Sequence, residues 1–211
     1  MPRQLWDISP PVHEASPVFP GDTPYEQHWQ ATLGGDCPVN VASIRLSPHT
    51  GTHADAPLHY QREGLSVGQL DLAAFIGPCR VIHCIGVRPL VTWSDVAHAM
   101  YAPLPARVLF RTYLRMPQDG FDTGLAGIAP EVIERLGARG VRLIGTDSAS
   151  IDPANSKALL SHQAIAAQDM RVLENLYLDE IAEGDYELIA LPLKLMQADA
   201  SPVRAILRNL P

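Results

Sequence analysis

Between positions 49 and 59 the chain reads His49-Thr50-Gly51-Thr52-His53-Ala54-Asp55-Ala56-Pro57-Leu58-His59. Three of the eight histidines and one carboxylate fall in this stretch. Neutral imidazoles and a carboxylate are the ligands a borderline divalent cation such as zinc takes. Gly51 lets the backbone turn so that His49 and His53 can converge, and Pro57 fixes the exit. Asp55 has two oxygens and can bridge two ions. Such ions acidify water, which makes hydrolysis the natural chemistry.

Blander readings stand beside this one. The stretch can be a histidine-rich surface loop, or a non-catalytic metal-binding site. Structural zinc sites are usually closed four-ligand cages rich in cysteine, and Cys37, Cys79 and Cys84 all lie outside the loop. A different hydrolytic chemistry is suggested by Gly64-Leu65-Ser66-Val67-Gly68, which fits the G-x-S-x-G elbow of serine hydrolases. That elbow needs a buried strand before it, and Tyr60-Gln61-Arg62-Glu63 is polar and charged instead.

Other titratable residues carry weaker signals. A lone histidine such as His162, on an expected helix, is usually a satisfied surface or core residue. Glu174, between Leu173 and Leu176 in an apolar strand, must be paired, coordinated or at an edge. Asp147, at a strand end, reads as a helix cap more readily than as a neighbour of a site. His13, His28, His83 and His98 have no ligand-like neighbours and read as structural.

Stepping outward, the elements that must hold these residues are mostly strands. Residues 5–9, 28–33, 39–46, 80–85, 107–111, 141–145, 172–178, 188–195 and 203–207 are strand candidates. Residues 48–57 cannot form a regular helix, because Gly51 lies inside and prolines bound them. Pro130 opens the clearest helix, residues 130–136, which Gly137 and Gly140 stop. Shorter helices are expected over residues 71–76, over 96–101 behind a Thr92–Asp95 cap, and over 156–167. Strands outnumber helices and do not alternate with them. The reading is α/β, with a mixed sheet, a few peripheral helices and one domain over residues 1–211.

Bulk properties narrow the partners. With formal net charge −7 and no basic run, the chain gains nothing from phosphate backbones or anionic lipids. Nucleic acid and membrane are therefore not expected partners, and a small molecule is. The opening residues, Met1 to Asp7, lack the apolar stretch of a secretion signal. Three cysteines form neither a disulfide framework nor a metal knuckle, which suits a reduced cytoplasmic protein.

The eleven-residue motif closely resembles the signature of the bacterial kynurenine formamidases, members of the cyclase family of metal hydrolases. The likeness runs along most of the chain: Trp6-Asp7-Ile8-Ser9, Pro17-Val18-Phe19-Pro20-Gly21-Asp22, Gly145 through Asp152, His162, and Val172 through Leu176. It implies a swivelling β/β/α fold, usually dimeric, with two divalent ions, zinc foremost. His49 and His53 would hold one ion and His162 the other, with Asp55 and Glu174 touching both. His59 would be the proton donor and acceptor. Phe19 falls where the family sets an aromatic residue against the substrate ring, commonly tryptophan. The implied reaction turns N-formyl-L-kynurenine into L-kynurenine and formate in tryptophan breakdown. Isatin or another cyclic or aryl amide is the alternative substrate within the same chemistry.

Overall fold

The computed structural model describes residues 4–210. Residues 1–3, part of the segment read for a secretion signal, lie outside the described residues, as does Pro211. In chain order the strands are β1 (Leu5–Asp7), β2 (Glu26–Ala31), β3 (Val41–Arg45), β4 (His53–Asp55), β5 (Ile76–His83), β6 (Leu90–Val91) and β7 (Arg107–Arg111). They continue with β8 (Gly127–Ile128), β9 (Leu143–Thr146), β10 (Arg171–Glu174), β11 (Gly184–Ile189), β12 (Ala200–Pro202) and β13 (Ile206–Arg208). The helices are α1 (Pro57–Tyr60), α2 (Trp93–Val96), α3 (Pro130–Gly137) and α4 (Leu160–Ala167).

Nine strands form one sheet in the order β1-β13-β11-β5-β7-β9-β10-β4-β12. Strands β5, β7, β9 and β10 run parallel, and antiparallel strands extend the sheet on both sides. This is the expected mixed sheet with few helices. The parallel centre is apolar on both faces, as strands covered on two sides must be. Val108, Phe110, Ile144 and Val172 face α3 and α4, where Val132, Ile133, Leu136 and Ile165 meet them. The alternate residues Leu109, Leu143 and Leu173 enter a second core with Ile8, Phe75 and Leu207. These side chains are fully buried, and truncating one such leucine to alanine costs about 2–5 kcal/mol. Gly145 faces this second core, where an added Cβ would lie 2.6 Å from Leu109 Cδ2 and 2.7 Å from Leu176 Cδ1.

Several expected boundaries move, each for a packing reason. Strand β5 begins at Ile76, not residue 80, and passes through Gly77-Pro78. There β5 pairs with β11 alone, and β7 joins only from Arg80, so Pro78 interrupts no ladder on the β7 side. The expected helix over residues 71–76 shrinks to a 3₁₀ turn, Leu72–Phe75, capped by Asp71. Thr92 and Asp95 do form a capping box, but α2 begins directly at Trp93 and passes into a 3₁₀ turn, Ala97–Ala99. Residues 156–159 stay outside α4, because Leu159 sits in a left-handed conformation (φ 47°). The strand expected over 188–195 lies earlier, at β11, where it pairs with β5 from Gly184 onward. Strand β10 stops at Glu174, since Asn175 is left-handed (φ 56°). The expected last strand shifts to β13, and β12 and β4 are strands the periodicity had not revealed.

Candidate metal centre

Strand β4 is the structural key. Its residues His53 and Asp55 are two apart, so their side chains leave the same face. Across the antiparallel ladder His53 is paired with Glu174 of β10, which places that carboxylate beside them. Glu174 lies at the carboxyl end of a parallel strand, the usual location of ligand sites in such sheets. Helix α4 packs over the same face and brings in His162. His49 arrives from the turn before β4, which Gly51 makes with φ 65°. A Cβ at Gly51 would also lie 2.7 Å from Val12 Cγ2, the tip of a partly exposed side chain that would have to move, so it is the positive φ that calls for glycine.

The two carboxylates divide their oxygens. Asp55 Oδ1 lies 3.1 Å from His49 Nδ1 and 3.3 Å from His53 Nε2. Its Oδ2 lies 3.3 Å from His162 Nε2. Glu174 repeats the pattern, with Oε2 3.4 Å from His53 Nε2 and Oε1 3.6 Å from His162 Nε2. His53, Asp55, His162 and Glu174 are all buried. His53 Nε2 and Asp55 Oδ1 are fully enclosed, and although ion-pair neighbours stand close, no contact gives either atom hydrogen-bond geometry. Leaving such groups unpaired costs about 1–3 kcal/mol each, and a divalent cation among them would remove that cost. Two overlapping groups, His53 with Asp55 and Glu174 and His49 with Asp55 and His59, each bring their ligand atoms within 4.8 Å of one another, a donor set that fits a metal.

The outer nitrogen of each of the three histidines is also held. His53 Nδ1 lies 2.9 Å from the Gly51 carbonyl, and His162 Nδ1 lies 2.7 Å from Asp152 Oδ2. His49 Nε2 lies 3.0 Å from Asp199 Oδ2. An N–H donated outward leaves the inner nitrogen bare, which is the form a metal needs. Without a cation the cluster stores protons instead. Burial works against a charged His53, yet Asp55 and Glu174 prevail and hold its pKa at about 10. Burial opposes charge on His162 likewise, and Asp152 with Asp55 carries it to about 10. Burial would raise the Asp55 carboxyl, but His53, His162 and His49 hold it well below the ordinary range.

His59 stands on α1 at the rim, one-third exposed, with Nδ1 3.3 Å from Asp199 Oδ2. Its ring centroid is 4.3 Å from that of His49 and 5.9 Å from that of His162. Above these rings opens a cavity of about 320 Å³ lined by Phe19, Phe121, Tyr113, Met116 and Pro117. Phe19 is half exposed there and meets Phe121 edge to face, with centroids 5.1 Å apart. Apolar walls over a polar floor suit a small aromatic molecule.

The fold thus gathers His49, His53, His59, His162, Glu174 and Phe19 around one cavity, with Asp55 buried beneath it against His49. Two members had no sequence signal of their own. Asp199 reaches the site because β12 pairs with β4. Asp152, inside the motif that begins at Gly145, had been given no role. Asp147 is not a helix cap. Its carboxylate accepts from Thr112 N, Thr112 Oγ1 and Tyr113 N, at 2.8, 2.7 and 3.0 Å, and so lashes the end of β9 to that of β7. Burial pushes its pKa up to about 6 against those hydrogen bonds. Ser66 is buried at the start of a 3₁₀ turn, Val67–Gln69, and its hydroxyl lies against Met196 O and Gln69 Oε1, with no histidine partner. No strand leads into it, so it is not a nucleophile elbow.

The fold and the site together define a class, that of the cyclase-type metal hydrolases. A family profile described as "Putative cyclase" matches residues 6–153, and the chain belongs to that family. Among its relatives, a kynurenine formamidase of Paracidovorax citrulli (strain AAC00-1) is 65% identical, over 99% of this chain and 98% of that protein. Another kynurenine formamidase, from Delftia acidovorans (strain DSM 14801 / SPH-1), is 66% identical over 100% of both. Among solved structures, a potential metal-dependent hydrolase with cyclase activity superposes with TM-score 0.84 at 26% identity, covering 99% of each chain. An isatin hydrolase bound to the product analogue thioisatinate shares the fold, with TM-score 0.85 at 24% identity over 99% of this chain and 93% of that one.

Proposed function

We propose that this chain, acting as one catalytic domain, hydrolyses N-formyl-L-kynurenine to L-kynurenine and formate in tryptophan breakdown. The observation that carries the reading is the division of the Asp55 and Glu174 oxygens between two histidine groups. Identity of 65–66% to kynurenine formamidases over nearly the whole chain supports the substrate.

His49 and His53, with one oxygen each from Asp55 and Glu174, would hold a first divalent ion. His162, with the remaining oxygens, would hold a second, and zinc suits this nitrogen and oxygen set. Glu174 Oε1 is also steadied by Ile151 N at 2.8 Å. Bound ions of this kind supply Lewis acidity, lowering the pKa of water from about 16 to about 7 and polarising the formyl oxygen.

The protein's own side chains do the rest. Phe19 and Phe121 hold the aryl ring so that the formyl group points at the floor of the cavity. His59 Nε2 takes the proton that the attacking water sheds as the new C–O bond forms. It then delivers that proton to the anilide nitrogen as the C–N bond breaks, because the nitrogen leaves poorly as an anion.

A homodimer is part of the reading. Hairpin β2–β3 stands apart from the main sheet and exposes Trp29 and Ile44 on one of its faces, which a second copy would cover. Cytoplasmic placement is supported by the three free cysteines. Among the described residues no helix is long and apolar enough to cross a membrane.

A substrate panel on zinc-loaded protein tests the proposal. The expected result is the highest kcat/KM on N-formylkynurenine, with formanilide slower and isatin slowest. Preference for isatin would move the assignment to a cyclic-amide hydrolase. No turnover of any aryl amide by metal-loaded, folded protein would leave a non-catalytic metal binder.

A further inference from the structure

A single carboxylate oxygen outside the ligand set holds two of the imidazoles. Asp199 Oδ2 lies 3.0 Å from His49 Nε2 and 3.3 Å from His59 Nδ1. The residue is itself anchored by backbone: Ala56 N donates to the Asp199 carbonyl at 2.8 Å, and the next residue, Ala200, is paired with Asp55 in the sheet. Asp199 is therefore registered to the same strand that carries His53 and Asp55, one residue beyond the ladder.

An ionised carboxylate is an acceptor only, so each imidazole must present an N–H to it. For His59 this selects the tautomer protonated at Nδ1. Its Nε2, which has no hydrogen-bond partner among the described residues, is left as the basic nitrogen beside the cavity. For His49 the same oxygen fixes the N–H at Nε2 and leaves Nδ1 bare toward Asp55. Gly51 and Asp152 perform the second service for His53 and His162, but each of them serves one ring. Asp199 alone, among these three acceptors, joins a ligand histidine to the histidine that moves the proton.

We infer that Asp199 is a positioning residue for the hydrolysis proposed above, locking His59 in the Nδ1–H tautomer and setting its ring against His49. The inference rests on the reading of His59 as the proton carrier. A carboxylate that orients a histidine near a metal is worth roughly 10–100-fold in activity or metal affinity. Because it also touches His49, its loss weakens metal binding, and activities must be compared at saturating zinc.

The test uses Asp199→Ala and Asp199→Asn in the full chain. With zinc saturating, Asp199→Ala should lose roughly 10–100-fold in kcat with KM unchanged, and Asp199→Asn, which keeps an acceptor oxygen, should recover part of it. Independently of turnover, ¹⁵N resonances of His59 should report the Nδ1–H tautomer in wild type and a mixture in Asp199→Ala. Wild-type kcat in Asp199→Ala, or a His59 tautomer unchanged by that substitution, would overturn the inference. If Asp199→Ala does not fold, Asp199→Ser, which also removes the carboxylate, carries the same two readouts. Failure of wild type itself to cleave N-formylkynurenine strikes the proposed function instead, and the tautomer measurement still judges Asp199.

Discussion

At the residue scale the proposed function separates groups that would hold a cation from one that would handle a proton. His53 and Asp55 are enclosed, and their inner atoms face only each other and further members of the cluster, Glu174, His49 and His162. His59 is at the rim and partly exposed. His59→Ala should therefore keep its metal and lose about 10²–10⁴-fold in kcat. Asp55→Ala and His53→Ala should lose the metal itself, and elemental analysis beside kinetics separates the two outcomes. A metal-free but folded His59→Ala would overturn the role given to it. Asp147 offers a pH test. Its folded pKa, about 6, is above the unfolded carboxyl value. The stability this shift contributes is thus full below about pH 4 and is lost as pH rises through 6, at about 1.4 kcal/mol per pH unit within the window. Asp147→Asn removes that slope and costs about 1–3 kcal/mol, because its amide N–H₂ must face a backbone N–H. Chemical denaturation of both proteins between pH 4.5 and 7 should show the gap between them widening toward the acid end.

At the element scale, α1 is set by a close approach that a motif search misreads. Gly64, the first glycine of the G-x-S-x-G pattern, has no room for a side chain. A Cβ there would lie 2.3 Å from the Pro57 carbonyl carbon and 2.5 Å from Leu58 N, both backbone atoms. Gly64→Ala should push α1 outward, cost about 1–3 kcal/mol and misplace His59, lowering kcat along with Tm. Ser66→Ala removes a buried turn contact and should cost only about 1 kcal/mol while leaving kcat intact. An inactive, folded Ser66→Ala would revive the serine mechanism. Both pattern matches were visible in the chain, but only packing tells a steric glycine from a catalytic elbow. The same holds for β4. The turn at Gly51 was legible from the glycine and its flanking proline, whereas the strand after it was not, because three residues carry no readable period. Its partners β10 and β12 lie over a hundred residues away.

For the whole molecule, the cluster can be satisfied by protons or by cations. In metal-free protein the raised histidines pair with the buried carboxylates, so chelation should abolish turnover without unfolding the chain. Melting should shift upward again on adding zinc, by the linkage of ligand binding to folding. Loss of secondary structure on chelation, followed by circular dichroism, would mark the centre as structural instead. The exposed apolar hairpin β2–β3 makes a second prediction at this scale. Light scattering should give twice the chain mass, and Trp29→Glu together with Ile44→Glu should halve it.

Chemistry was the part legible in the linear chain: histidines and an aspartate spaced around Gly51 need no fold to be recognised as candidate ligands. Glu174 was legible too, as a charge in an apolar strand that demanded a partner. Which oxygen faces which imidazole, and the places of Asp152 and Asp199, were decided by tertiary structure alone. Pairing of β4 with β10 and β12 is set by sheet register and by the helices that cover it. Those are sums over many distant contacts, and no local window of residues contains them.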